Sequence, residues 1–137
     1  MRRSASLHCV DPKDVSRVWP IVRYDIKRAF DRQPTDDTFA VAEARLLAGK
    51  SLLWISWTGC TIVGAVITEL WQTPSKKVCG VIAVGGRGLD NCRSGLKRIE
   101  EFAKDEGCDV VRFCGRKAWA RVLPDYKQPW ITLEKNI

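Results

Sequence analysis

The sequence holds little of what metal, disulfide and membrane proteins depend on. There is a single histidine, His8, and no Cys-x-x-Cys pair, so the usual spacing of zinc ligands is absent. No apolar run approaches the ~20 residues that a membrane-spanning helix needs. The opening "MRRSASLHCV" has two arginines but no apolar stretch behind them, unlike a secretion signal. We therefore expect a cytoplasmic protein with no metal site and no membrane partner.

The cysteines are many for this length. The six are Cys9, Cys60, Cys79, Cys92, Cys108 and Cys114. In a secreted protein they would predict a disulfide framework, but nothing in the sequence directs this chain to an oxidising compartment. Several stand beside Val or Phe, as small buried hydrophobic residues do. We expect reduced thiols.

The length and the net charge limit the possible classes of function but do not identify one. At 137 residues and 45% hydrophobic, residues 1–137 suit a single domain with a proper core. The formal net charge of +7 favours an anionic partner such as nucleic acid, an acidic protein or a phosphorylated cofactor like coenzyme A. A surplus of solvated lysine and arginine explains the same charge equally well.

The first third of the chain predicts a strand and two helices. Residues 6–10 alternate enough for a strand, and Asp11 before Pro12 is typical of a helix start. Apolar residues then recur at helical steps: Val15, Val18, Trp19, Val22, Ile26 and Phe30. Pro20 predicts a kink or two abutting helices. "QPTDD" caps a second helix that Gly49 ends.

The rest of the chain predicts a mixed sheet. "SLLWISW" and "TIVGAVITELW" flank the turn "TGC" as a hairpin, and "VCGVIAV" is a third strand. A helix over 91–106, the strand "DVVRFC", the short helix "RKAWARVL" and a last strand "WITLEK" follow. A strand, a crossover helix and a strand imply one parallel pair. The predicted fold class is α/β, with a mixed, mostly antiparallel central sheet, one parallel pair and helices on both faces.

These motifs resemble the GNAT superfamily of acyl-CoA-dependent N-acetyltransferases over essentially the whole chain. Members have a hairpin like "LLWISWTGCTIVGAVITEL", in which a glycine, here Gly64, opens the second strand. "VIAVGGRGLDNCRSGLKRIEEFAKDEGCDVV" looks like the family's strand, glycine loop and helix that hold the CoA pyrophosphate. More narrowly, "GC..V...GR..W.R.L" looks like GNAT-like proteins of tailed phages and prophages. The resemblance implies a GNAT-like fold, acetyl-CoA as cofactor and an amine as acceptor.

The resemblance also implies a cofactor-binding segment. Its candidates are Val84, Gly85, Gly86, Arg87, Gly88, Asn91 and Arg93. Such a loop points backbone N–H groups and a helix N-terminus at the pyrophosphate. The family pattern is Arg/Gln-x-x-Gly-x-Gly/Ala. If Arg87 is its first residue, Asp90 occupies the position of the glycine and Cys92 occupies the position of the final Gly/Ala. Asp90 is placed to cap the helix and would repel a phosphate. A tight turn before a solvated basic helix is therefore the competing interpretation.

Glu69 is the candidate catalytic residue. The resemblance implies that a strand glutamate can act as general base, and Glu69 is the only carboxylate in the hairpin strands. The alternative is a solvated residue at a strand end. If "DY" replaces the family's Gly-Phe pair, the place of its tyrosine acid holds Arg121, which cannot donate a proton at neutral pH, and Tyr126 becomes a core residue. A pre-aligned amine needs little such help, so transfer stays open.

Arg116 and Trp119 are the candidate substrate or ligand residues. They follow the strand "VVRFC" and Gly115, at the carboxyl end of a parallel strand, where α/β sheets tend to bind ligands. Arg116 could hold a carboxylate or phosphate with both arms of its guanidinium. The alternative is that Trp119 packs into the core while Arg116 pairs with Asp109 or Asp125.

Three functions from different classes fit these residues. The first is a divergent GNAT-fold N-acetyltransferase that uses acetyl-CoA on an amine. The second is a catalytically inactive GNAT-like binding or accessory protein of phage or prophage origin. The third is a basic nucleic-acid-binding domain, which is weakest because no recognised nucleic-acid motif accompanies the charge.

Overall fold

The computed structural model describes residues 6–32, 35–86, 92–114 and 118–137, without the side chains at positions 92, 93 and 118. Five strands and four helices lie in these ranges. The strands are β1 (Ser6–Cys9), β2 (Leu52–Thr58), β3 (Thr61–Gln72), β4 (Lys77–Gly86) and β5 (Val110–Phe113). The helices are α1 (Val15–Arg32), α2 (Phe39–Leu47), α3 (Cys92–Asp105) and α4 (Ala118–Val122).

The first two helices begin where the sequence predicts. Asp11 accepts a hydrogen bond from the Lys13 backbone N–H (3.0 Å), and a single 3₁₀ turn leads into α1. The cap of α2 is Thr38, one residue after the predicted "QPTDD", and it accepts from the Val41 N–H (3.2 Å). Pro20 lies inside α1, which runs on to Arg32 as one helix. The expectation of two abutting helices is therefore wrong, because the missing Pro20 N–H costs the helix one bond without ending it.

The strands form one sheet in the order β1-β2-β3-β4-β5. The first three neighbouring pairs are antiparallel, while β4 and β5 are parallel and are joined through α3. The predicted fold class is confirmed, including its one parallel pair.

Helices cover both faces of the sheet. On one face α1 and α2 bury the first core, which consists of Val10, Val15, Trp19, Val22, Ile26, Phe30, Ala42, Leu46, Leu53, Ile55, Ala65, Ile67 and Ala83. On the other face α3 packs on the second core, which consists of Trp54, Val66, Cys79, Val81, Ile99 and Ala103. The alternation of the strand side chains divides the apolar residues between the two.

A polar contact fixes α2 on α1. The Glu43 carboxylate accepts from the Trp19 indole N–H (2.6 Å) and from Arg23 Nε (2.5 Å). These two bonds, that from Arg23 foremost, hold the pKa of Glu43 below its usual value. The Glu43 side chain therefore points to α1. Its neighbours Val41, Ala42 and Arg45 line a cavity over the sheet.

The predicted last strand, "WITLEK", is not formed. Residues 126–137 adopt neither helix nor strand, and Trp130, Ile131 and Leu133 are exposed. Strand propensity is a preference for a half-buried pleated surface, and this segment buries too little to gain from one. Pro129 also removes a ladder donor at its start. The Trp130 ring instead lies under the Arg112 guanidinium of β5, 4.9 Å from its carbon.

Neither a membrane-spanning helix nor a metal-binding cluster occurs within the described ranges. None of the described helices combines the length and the hydrophobicity that crossing a bilayer requires. The described side chains also contain no cluster of three His, Cys, Asp or Glu that could hold a metal ion.

Candidate active site

The parallel pair β4–β5 ends before β4 does. Phe113, the last residue of β5, pairs with Val81, but β4 continues for five residues and stays paired with β3 as far as Gly86 opposite Gly64. In the described chain no strand borders β4 on its β5 side beyond Val81. Beyond Ile82, this side of β4 borders no described strand, and an open strand edge of this kind is one on which a ligand can lie.

A β-bulge lies where the two strands part. Ile67 pairs with Ala83 and Thr68 with Val81, so Ile82 is an extra residue on β4. Ile82 and Ala83 consequently both pack toward the first core, and Val84 packs toward the second. Bulges re-aim side chains and are frequent beside active sites.

A cavity of about 340 Å³ lies next to the bulge, on the α1/α2 face of the sheet. It is lined by Asp37, Val41, Ala42, Arg45, Ser51, Ile67, Glu69, Trp71 and Ile82. Ile82 joins the two features, because it is both the bulged residue of β4 and part of the cavity wall. We call this space the acceptor cavity below.

Glu69 lies in the wall of the acceptor cavity. Its side chain is only 18% exposed and forms an ion pair with Arg45, with Arg45 Nε 3.3 Å from Glu69 Oε2 and a second, shorter bond from Nη2 to Oε1. The bond to Glu69 raises the pKa of Arg45, with a smaller contribution from Asp37. Glu69 is thus ion-paired and mostly covered rather than fully solvated, and its role as a general base stays a prediction.

Trp71 and Ser51 complete the polar and aromatic lining. The Trp71 ring lies across β4 over Gly80, where an added Cβ would come within 2.2 Å of the indole. Ser51, just before β2, is 8% exposed, and its Oγ has no hydrogen-bond partner among the described residues. A buried hydroxyl without a partner is uncommon in proteins.

Three of the predicted cofactor residues lie at the end of β4. Val84 contributes to the second core. Gly85 lies against α1, since a Cβ there would be 2.5 Å from the Asp25 carbonyl oxygen. Gly86 has φ of 103°, which favours glycine. These packing requirements explain both glycines, and their role toward a cofactor stays a prediction.

The other predicted site residues are described less fully. Arg87, Gly88, Asn91 and Arg116 lie outside the described residues, and Arg93 lies in the first turn of α3 with its side chain undescribed. Trp119 is half-buried, and its ring centroid lies 5.2 Å from that of Phe113 in β5. This contact agrees with the packing alternative for Trp119, and its role toward a substrate is still a prediction.

Tyr126 packs near the carboxyl end of β5. Its ring meets Phe113 edge-on at 5.6 Å, and its hydroxyl donates to Glu100 Oε2 at 2.7 Å. Burial and then this bond raise the pKa of Tyr126, so the phenol keeps its proton. The half-buried position agrees with a packing role.

Sequence reasoning missed Arg45, Ser51, Asp37 and the Ile82 bulge. Arg45 and Glu69 are 24 residues apart in the sequence. No local sequence pattern therefore predicts that they form an ion pair. Ser51 gives one weak signal, a small polar residue directly before the apolar strand β2. The bulge becomes visible only through the register between β3 and β4.

Comparison with solved structures shows which fold this is. The chain has the fold of the GNAT acetyltransferases: it superposes on a GNAT family acetyltransferase of Staphylococcus aureus with a TM-score of 0.65 and 12% identity, covering 98% of this chain and 99% of that one. No protein-family model matches the chain, and no curated protein matches it. At this identity the likeness shows the fold alone.

Two further solved structures also match this chain over nearly its whole length. A predicted acetyltransferase from Clostridium acetobutylicum, solved with acetyl-CoA, gives a TM-score of 0.63 at 15% identity, over 95% of this chain and 96% of that one. An aminoglycoside acetyltransferase from an uncultured soil metagenomic sample, in complex with sisomicin, gives 0.68 at 10% identity, over 97% and 96%. The chain therefore spans nearly the whole length of these proteins.

Proposed function

We propose that this protein is an N-acetyltransferase that uses acetyl-CoA to acetylate an amine held in the acceptor cavity. One observation carries the proposal: the bulge at Ile82 joins the parting of β4 and β5 to a cavity whose wall contains Glu69. An acyl donor along β4 and an amine in the cavity would meet at this residue. The neighbour solved with acetyl-CoA supports the choice of cofactor.

The residues at the β4–β5 opening fit acetyl-CoA. The pantetheine arm is an extended chain with two amide groups, so it can hydrogen-bond to a strand as an added strand would. Among the described residues, no strand pairs with Ala83–Gly86 on that side. Bound acetyl-CoA supplies the activated acetyl group, and the work of the chain is to align the donor and the amine.

We assign to Glu69 the removal of a proton from the acceptor amine. An amine enters water-exposed sites as an ammonium ion and must lose a proton before its nitrogen can attack a thioester. The cavity lining has two carboxylates, Asp37 and Glu69, and one guanidinium, Arg45, so its formal charge is −1 and it favours a cation. Arg45 binds both Glu69 oxygens and so orients the carboxylate, whose remaining lone pairs can accept the proton.

The replacement of Glu69 by glutamine tests this assignment. Glu69→Gln keeps the shape and removes the base, so we expect acetylation of a responsive amine to fall about 100-fold. The measurement is the release of free CoA thiol during incubation with acetyl-CoA and a panel of primary amines. Glu101→Gln, on the exposed side of α3, is the matched control and should keep wild-type activity.

Two results would contradict the proposal. Equal rates for Glu69→Gln and the wild type would remove Glu69 from the chemistry. Binding of acetyl-CoA with no thiol release for any amine would favour the second function predicted from the sequence, an inactive accessory protein.

A further inference from the structure

The strand β5 forms one edge of the sheet. Its only neighbour among the described strands is β4, and no described strand lies on its other side. Two of its four residues, Val111 and Phe113, pack toward the second core and alternate with Val110 and Arg112. An open edge presents a row of backbone groups to which a further strand can pair.

The segment 130–137 carries several exposed apolar side chains close together. Trp130 is 58% exposed, Ile131 is 67% exposed and Leu133 is 86% exposed, and Ile137 is fully exposed. Single exposed apolar residues are ordinary, whereas a contiguous group of them marks an interaction surface. In an extended conformation Ile131, Leu133 and Ile137 share one face, because successive side chains point to opposite sides of a strand.

The β5 strand of the same chain does not cover this segment. Tyr126 packs on β5, so the segment starts beside the open edge. The Trp130 ring then contacts the Arg112 guanidinium, whose carbon lies 4.9 Å from the ring centroid. Beyond this contact the chain forms no strand, and the apolar side chains that follow stay exposed. The surface that buries them therefore comes from another molecule.

We propose that two copies of this chain form a dimer in which residues 130–135 of each copy pair as a strand with the open edge of β5 in the other copy. The second copy is the partner that the chain itself supplies, because every copy carries both the exposed segment and the open edge. A single two-fold axis satisfies both contacts at once and closes the assembly. This interaction surface does not depend on the proposed acetyltransferase function.

The surface that the exchange would bury is sufficient for a specific dimer. Exposed side chains of this size offer on the order of 100 Å² each, so Trp130, Ile131 and Leu133 offer roughly 600 Å² in two copies. They cover a similar area of the accepting copy, which brings the contact to roughly 1,200 Å², the lower end of specific interfaces. Main-chain hydrogen bonds between the added strand and β5 then strengthen the contact and fix its register.

Sedimentation velocity of the full chain tests the association. An interface at the lower end of the specific class predicts dissociation in the micromolar range, so the mass should double between about 0.1 µM and about 500 µM. Hydrogen–deuterium exchange at both concentrations locates the contact. In the dimer, backbone exchange should slow over 130–135 and over Val110–Phe113 and stay unchanged in β1.

A matched pair of leucine substitutions assigns the dimer to the segment. Leu133→Lys places a charge on the face that the exchanged strand buries, so we expect the dissociation constant to rise about 100-fold or more. Leu47→Lys makes the same change at an exposed leucine of α2 and should leave the dissociation constant within about twofold of the wild type. Both leucines are more than half exposed in the single chain, so neither substitution should unfold it, and circular dichroism verifies this. Ile131→Lys, on the same face, replaces Leu133→Lys if that variant does not fold.

Four results would overturn the proposal. The first is a monomer at the highest concentration. The second is slow exchange over 130–135 in the monomer, because the segment would then pair with β5 of its own chain. The third is a dimer in which exchange slows over 130–135 but not over Val110–Phe113, which would place the segment elsewhere. The fourth is a dimer of unchanged affinity in the folded lysine variant of the segment.

Discussion

At the scale of single residues, burial determines which thiols can react. Cys79 is fully buried in the second core, and desolvation raises its pKa to about 11. Cys60 is exposed beside Gly59 in the turn between β2 and β3. Cys9, Cys60, Cys79 and Cys108 carry free thiols, and these thiols differ widely in solvent accessibility.

We predict that iodoacetamide near neutral pH labels Cys60 in the native protein and leaves Cys79 unlabelled. The nucleophile is the thiolate, and a pKa of about 11 leaves only about one Cys79 side chain in ten thousand ionised near pH 7. Peptide mass spectrometry of samples quenched over time provides the measurement. In denaturant both residues should react. Labelling of native Cys79 as fast as Cys60 would show that β4 and α3 do not enclose it.

At the scale of elements, the position of the cofactor segment depends on how closely α1 approaches β4. Gly85 allows this approach, because an added Cβ would come within 2.5 Å of the Asp25 carbonyl oxygen of α1. The atom in the way is backbone, which cannot turn aside as a flexible side chain can. Gly95 in α3 is different, since its added Cβ would make only ordinary contact with the Leu7 side chain at 3.6 Å.

The two glycines make a matched pair of substitutions. Gly85→Ala should lower the free energy of unfolding by about 2 kcal/mol or more, because α1 must move away from the strand. Gly95→Ala should raise it by up to about 1 kcal/mol, because alanine favours the interior of a helix. Urea denaturation of both variants beside the wild type measures the difference. A Gly85→Ala variant as stable as Gly95→Ala would contradict the described packing of α1 on β4.

The elements also show how far sequence reasoning reaches. Local periodicity and helix-end residues predicted the helices α1 to α3 and the strands of the sheet, because residues such as Asp11 and Gly49 act within a few residues of themselves. The segment over 130–135 has the same alternation, yet it forms no strand, because a strand also needs a partner and a buried face.

The candidate site was predictable only in part, for the same reason. Glu69 could be singled out as the only carboxylate in the hairpin strands. Its partner Arg45 and the buried Ser51 come from distant segments, and the bulge at Ile82 depends on how β3 and β4 align. Contacts of this kind leave no periodic trace in a single sequence.

At the scale of the whole molecule, one architecture is kept while nearly all of its sequence differs. This chain shares its fold over almost its full length with acetyltransferases at 15% identity or less. A fold fixes the order of its elements and where its apolar faces are buried, which leaves most side chains free to vary. The cytoplasmic location, the phage or prophage origin and the exclusion of nucleic acid as a partner stay predictions from the sequence.

The central claim is that acetyl-CoA binds along the open side of β4. Hydrogen–deuterium exchange of the full chain, with and without acetyl-CoA, tests it most directly, because exchange follows individual backbone N–H groups. We predict slower exchange in the segment Ile82–Gly86 when acetyl-CoA is present, and unchanged exchange in β1 at the opposite edge of the sheet. Unchanged exchange over Ile82–Gly86 at saturating acetyl-CoA, or protection confined to β1, would contradict the account.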